Sequence, residues 1–531
     1  MKKLYSLALL LSLICTGLLN AQTRYLGPVF TNVSVTGGVT YGVNATVLYY
    51  SAFGQAVPEL LKMDVYQPTT DSETKRPLVI YLHTGNFLPF FNPAPPNQPG
   101  FNGSCGGTRK DSAAVEICTR LAKMGYVAAS ADYRLGWNPL AATDVNRRYG
   151  IINAAYRGIQ DARTAIRYFK VNAAQWGIDT SRIVVFGQGT GGYISLAAAT
   201  LDDYNKIPLA ANGKFFWDHD MNANTAPIPM VIPPVNGNIY GTSVGQVPNA
   251  VAPNGLDTLN YLNYVGVSSE FQLAVNLGGA LADSSWIDPG QPALISFHVP
   301  NDNFAPYGQG IVNVPGTNLQ VVEVQGSYLA QKLHQQYGNN DAFLNKPIFD
   351  LAANQDLAFA RSPTGFKTPY EGLYPFVMPA DPANPNLPTT TAPWEWTSYV
   401  PTMAGSTCNN IKANAIPYID TIMRFYAPRA CFALGLQACI SQIVGANEPQ
   451  AENIALTAAP NPATSEIVIG ADADHTILNV QVYDRDGRLM RTEKNVNAAS
   501  YTLRRDGLPV GLYLVKATFQ EGFVTKLVVF E

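Results

Sequence analysis

Residues 184–193 read Val184-Val185-Phe186-Gly187-Gln188-Gly189-Thr190-Gly191-Gly192-Tyr193. An apolar run passes into a turn with four glycines in six residues, and the turn opens on an apolar stretch from Tyr193 to Thr200. The pattern predicts a buried strand, a sharp turn and a helix. Glycine at 187 and 191 lets strand and helix approach closely, and glycine at 189 suits an apex with positive φ. A dinucleotide loop shows similar glycine spacing. The chain on either side decides between the two.

Upstream, Pro77-Leu78-Val79-Ile80-Tyr81-Leu82 is continuously apolar, as a parallel strand covered on both faces must be, and it ends in His83-Thr84-Gly85-Asn86-Phe87. Ser112 to Met124 predicts a helix stopped by Gly125; Tyr126 to Ala131 predicts a second buried strand leading into Asp132-Tyr133-Arg134. A long helix is expected over about 152–175, with Ile159, Ala162, Ile166 and Phe169 on its core face. Alternating segments at 33–39, 45–50 and 60–66 predict an antiparallel sheet edge. The element order over 76–200, with "RPLVIYLHTGNF" and "GYVAASADYRLGW", resembles α/β-hydrolases of the esterase and lipase type. That resemblance implies an α/β fold with a doubly wound, mostly parallel sheet, and it displaces the dinucleotide reading.

The family's elbow is Gly-x-Ser-x-Gly, with serine as the nucleophile. Gly187 and Gly191 match the outer glycines, whereas Gly189 stands in the nucleophile position and offers no oxygen. By resemblance, oxyanion-hole N–H groups come from Gly85 and Asn86 in the His-Gly-Gly-Gly-type loop and from Thr190. His83 is structural in that loop. "ALISFHVPNDNFAPY" (293–307) is similar to the segment bearing the triad acid, which puts Asp302 in that role. The base falls near Gly372-Leu373-Tyr374-Pro375-Phe376, so Tyr374 takes the place of histidine. His334, within a helical stretch at 328–336, reads as part of a helix face.

The loop 88–108 contains Gly103-Ser104-Cys105-Gly106-Gly107, a mimic of a cysteine elbow that no apolar strand precedes. Residues 203–270, rich in Asn, Pro and Gly and holding His219, occupy the family position of a lid. Met1-Lys2-Lys3, the apolar run Leu4–Leu19 and Ala21 predict a secretory signal peptide over 1–21. Of the 6 cysteines, Cys105 and Cys118 are expected to pair, while the partners among Cys408, Cys431 and Cys439 stay open. The net charge of −3 gives no sign of a nucleic-acid partner. No Cys/His spacing suits a metal, and no cofactor is expected.

After a linker at 443–452, residues 453–531 change character. "ALTAAPNPATSEIVI", "VQVYDRDGRLMRTE" and "LPVGLYLVKATFQEGFVTKLVVFE" resemble the C-terminal sorting domain of the Bacteroidota type IX secretion system. Asp486-Gly487 is a hairpin signal, and the short strands predict a small all-β sandwich. The resemblance implies handling by the type IX machinery and a secreted or outer-surface location on a Gram-negative cell. Residues 22–442 are then expected to be a hydrolase-like domain without its nucleophile. Such a domain would act as a non-catalytic or impaired binding or surface protein for a small-molecule, ester or glycan ligand. The alternative is an active carboxylic-ester hydrolase using another nucleophile and base.

Overall fold

The computed structural model describes residues 23–89, 107–218, 225–302, 304–314, 317–342, 344, 346, 370–376, 391–396, 408–409, 412–444, 454–472, 474–485, 489–519 and 522–531. The expected signal peptide, Cys105, His219 and Asp486-Gly487 lie outside them. Contacts divide the chain into two compact units, residues 1–345 with 364–436, and residues 346–363 with 437–531.

The first unit is built on one eight-stranded sheet. β1 (Val33–Thr46) and β2 (Val57–Pro68) pair antiparallel at its edge. One continuous strand thus replaces the two segments expected over 33–50. Register shifts at Thr36/Val39 and Thr40/Gly42 absorb Gly37-Gly38 as a bulge rather than a break. β3 (Arg76–Leu82), β4 (Val127–Ala131), β5 (Ile178–Gln188), β6 (Leu273–Leu277) and β7 (Ala293–His298) follow. A hairpin of β8 (Gln309–Asn313) and β9 (Gln320–Gly326) then leaves the sheet, and β10 (Leu373–Pro375) completes it. The order is β1-β2-β4-β3-β5-β6-β7-β10, with every pairing from β4 onward parallel.

Every residue of β3, β4, β6 and β7 is buried, the signature of strands covered on both faces. The cover comes from α1 (Ser112–Lys123), α2 (Asp144–Val171), α3 (Thr190–Thr200), α4 (Ser327–Gln336) and α5 (Lys412–Ala433). α2 starts earlier than the periodicity predicts, because the Thr143 hydroxyl caps it by accepting from the Asn146 N–H at 3.1 Å. Each Val, Leu or Ile fully buried in this core contributes about 1.5–3 kcal/mol.

On α1, Ala113, Ala114, Ile117, Cys118, Leu121 and Ala122 form the buried face. Cys118 is a free thiol, which overturns the expected Cys105–Cys118 disulfide. Its helix phase aims the sulfur into the interface between helix and sheet instead of toward the loop, and burial pushes its pKa up. Cys431 and Cys439 are both disulfide-bonded.

The second unit contains two antiparallel sheets. β12 (Thr457–Ala459), β13 (Glu466–Gly470) and β16 (Ser500–Arg504) form one. β14 (Ile477–Asp484), β15 (Leu489–Ala498), β17 (Gly511–Phe519) and β18 (Gly522–Phe530) form the other. Ile467 and Ile469 from the first share a core with Val480, Val482, Val515 and Val528 from the second, giving a small sandwich.

Candidate functional site

Leu277 pairs with Gln188 and, one strand over, with Phe297, so β5, β6 and β7 end at a common edge. The loops after β3, β5, β6 and β7 meet there. That is where open α/β sheets hold their ligands.

Gly189 turns the chain from β5 into α3 with φ 54° and ψ −115°. Its N–H donates to Leu277 O at 2.8 Å, and its carbonyl accepts from the Tyr193 N–H at 3.0 Å. The Gly191 N–H donates to His83 O at 3.1 Å, which leaves the Thr190 N–H at the start of the helix. A Cβ on Gly191 would come within 2.7 Å of His83 O, and one on Gly187 within 2.6 Å of Gly192 N. Strand, loop and helix therefore meet backbone to backbone, and the elbow geometry is complete.

The space above the elbow is occupied. A Cβ on Gly189 would lie 2.7 Å from Thr84 Cβ and closer still to Thr84 Oγ1. The Thr84 side chain, from the loop after β3, thus fills the volume that a side chain at 189 would need. The loop is itself strained: Asn86 and Phe87 both have positive φ, 57° and 56°. Its carbonyls hold it in place. The Trp137 Nε1–H donates to Asn86 O at 2.7 Å, and the Gly136 N–H donates to Phe87 O at 2.7 Å.

A cavity of about 130 Å³ opens over this turn. Thr84, Gly85, Asn86, Gln188, Gly189, Thr190 and Asp302 line its polar end. Most of its remaining wall is apolar, from Phe87, Trp137, Ile152, Leu277, the hairpin valines and Trp394, with Tyr193, Asn313 and Thr391 among them. The structure thus brings Gly189, Gly85, Asn86, Thr190 and Asp302, the expected nucleophile, oxyanion and acid positions, into one cavity. Among the described residues of the 203–270 insertion, Phe215 alone reaches it. The far half of the insertion docks on the sheet edge instead, where the Asn44 Nδ2–H donates to Asn260 Oδ1 at 3.1 Å.

Asp302 follows β7. Its Oδ1 accepts from the N–H groups of Phe304 and Ala305 at 2.7 and 3.1 Å. Burial raises its pKa to about 7 against those two donors, so the carboxyl holds a proton into the neutral range.

Tyr374 does not supply a base. It lies inside β10 with its ring against Phe297 and Phe425, and its hydroxyl donates to Glu371 Oε1 at 3.1 Å, away from the cavity. Strand alternation explains the correction, since the side chain faces the helix layer and not the strand end. The described histidines of this unit do not line the cavity either. His83 stacks on Tyr133 at 4.6 Å. His298 bonds Ser327 Oγ at 2.7 Å and Ala305 O at 2.9 Å, with burial lowering its pKa to about 4. His334 is fully buried on α4, and desolvation lowers it to about 3. Residues 376–474, beyond the last strand of the sheet, contain no histidine.

Sequence reasoning missed three contributors. Thr84 had a signal, because it replaces the first glycine of the family's loop. The β8–β9 hairpin had none, since its short strands become a wall only by folding over the sheet edge. Trp394 had a signal as part of the Trp-Glu-Trp of β11 (Ala392–Trp396). Its neighbour Glu395 lies beneath the elbow, accepting from the Gln188 Nε2–H at 3.0 Å and the Ala113 N–H at 3.0 Å. Burial raises the pKa of Glu395 and that of Asp111 beside it. Among the described residues no group of three or more metal-ligating side chains comes together.

Residues 100–232 match the BD-FAE family model, and residues 457–531 match the secretion system C-terminal sorting domain. No curated protein matches the chain. Among solved structures, Thermogutta terrifontis esterase 2 phosphorylated by paraoxon is 17% identical with a TM-score of 0.27, over 52% of this chain and 74% of that one. The apo form of the same esterase is 18% identical with a TM-score of 0.25, over 47% and 70%. A truncated form of a carbohydrate esterase from gut microbiota is 15% identical with a TM-score of 0.30, over 59% and 87%. The sorting domain indicates secretion or attachment to the outer surface in Bacteroidota.

Proposed function

We propose that this chain, which carries an esterase-like α/β-hydrolase domain of the BD-FAE type and a type IX secretion sorting domain, is a secreted binding protein that has lost hydrolysis. The observation that carries the reading is the exchange at the elbow. Gly189 keeps the nucleophile's backbone conformation, while Thr84 occupies the nucleophile's volume. Covalent catalysis needs an activated oxygen with a base within about 2.6–3.2 Å. Among the described residues Asp302 is the one ionisable carboxyl in the cavity lining, and it is half-buried with a pKa raised to about 7. What remains is an apolar cavity with a few convergent polar groups, the usual form of a small-molecule site.

The test is turnover of short 4-nitrophenyl esters by the purified full chain. The expected rate equals that of a matched protein control. Turnover abolished by Thr84→Ala or Asp302→Asn would instead establish an ester hydrolase whose hydroxyl comes from the loop after β3.

A further inference from the structure

We propose that the ligand of this cavity is a small apolar monocation, a methylated ammonium or alkylamine, seated between the Asp302 carboxylate and the Trp394 indole. The inference rests on the reading of the domain as a binding protein and names the ligand class. A Cβ placed on Gly278, which lines the cavity, would lie 3.5 Å from Asp302 Oδ2 and 3.6 Å from Trp394 Cη2 and Cζ2. Carboxylate oxygen and indole ring therefore flank one point in the cavity wall. Oδ1 is taken by two backbone N–H groups, while Oδ2 has no hydrogen-bond partner among the described residues.

A half-buried carboxylate withdrawn from most of its water is stabilised by a counter-charge or a proton. Among the described residues the cavity lining includes no Lys, Arg or His. The titratable groups facing Asp302 do not supply one either. Tyr193 on α3 donates its hydroxyl to Phe304 O at 3.1 Å, and His298 on β7 is held neutral with both nitrogens bonded. Glu395, next to Trp394, is an acid and bonds Gln188 and Ala113. Residues 377–390, between β10 and Thr391, also lack Lys, Arg and His. Among the described residues no group supplies the charge, and the ligand brings it. A quaternary ammonium suits the place because it needs no hydrogen bond and is attracted to an indole face.

The probe pair is choline and its uncharged carbon isostere, 3,3-dimethylbutan-1-ol, titrated against the full chain by calorimetry at pH 5.5 and pH 8. Choline keeps its charge throughout, so any pH dependence belongs to the protein. Choline competes with the proton on Asp302, which titrates near 7. Its affinity is therefore expected to rise roughly 30-fold from pH 5.5 to 8, as the ionised fraction grows. The isostere should bind weakly with no such rise. Asp302→Asn should abolish choline binding and leave that of the isostere. Equal binding of the two probes, or choline affinity unchanged by Asp302→Asn, overturns the cation site. N-phenyl-1-naphthylamine, an uncharged apolar fluorophore, separates the two claims. Choline failing while the fluorophore binds removes only the cation proposal, and both failing removes the binding-protein reading.

Discussion

Gly189 and Thr84 behave as a single unit, and a substitution at either must be read through the other. A side chain at φ 54° carries backbone strain of about 1–3 kcal/mol on its own account. In Gly189→Ser the new Cβ also meets Thr84, and overpacking of that kind adds about 1–3 kcal/mol. Gly189→Ser should therefore lower Tm by more than strain alone requires, and it should not give esterase activity, because among the described residues no histidine lines the cavity over the elbow. Alanine at 84 is too large a residue to relieve the clash, since Thr84 Cβ is itself within 2.7 Å of the new atom. Thr84→Gly removes the clash, so the double variant should recover part of the lost stability. Thermal unfolding of the four proteins gives the coupling as a double-mutant cycle. Strictly additive effects would show that the two side chains do not compete for one space. This competition is only half legible in the sequence. The chain puts glycine where the resemblance expects serine, but the filling of the space above it by a residue 105 positions upstream is a tertiary fact.

At the scale of elements, the strands that were legible are those whose burial leaves a continuous apolar run, β3, β4 and β7 above all. The elbow was legible because close approach of β5, α3 and the loop after β3 demands glycine. Elements set by polar partners were harder to read. The end of β4 is an example: Arg134 and Asp161 form an ion pair at 2.9 Å with both side chains fully buried. The Arg134 N–H also donates to Asp161 at 2.8 Å, and the guanidinium reaches Leu259 O at 3.2 Å. The pair ties α2, β4 and the far half of the 203–270 insertion together, so "Asp-Tyr-Arg" is a structural joint near the cavity. Removing one partner strands a buried charge, at a cost of about 3–5 kcal/mol. Arg134→Met should cost that much in chemical denaturation, and Asp161→Asn, which keeps the shape, should cost a similar amount. A loss under about 1 kcal/mol for either would mean that water reaches the pair.

At the scale of the whole molecule, two units with separate cores serve separate tasks. The first holds the cavity, and all of its lining residues fall within that unit. The second is closed by its own core, in which Ile467, Ile469, Val480, Val515 and Phe530 are fully buried. Among the described residues that core draws on 454–530 alone, so the sorting signal is expected to keep its shape without the cargo. Two outcomes follow from that independence. A chain ending at residue 452 retains both disulfide-bonded cysteines, 431 and 439, and should unfold at the same temperature as the first unit of the full chain. In the cell the same truncation should leave the protein in the periplasm, while the full-length product should reach the surface or the medium and lose peptides from 453–531. Differential scanning calorimetry checks the first outcome, and peptide mass spectrometry of cell fractions checks the second. A truncated chain that is exported as well as the full one would remove the sorting role. A truncated chain whose melting temperature drops by several degrees would show that the hydrolase-like unit depends on the domain that exports it.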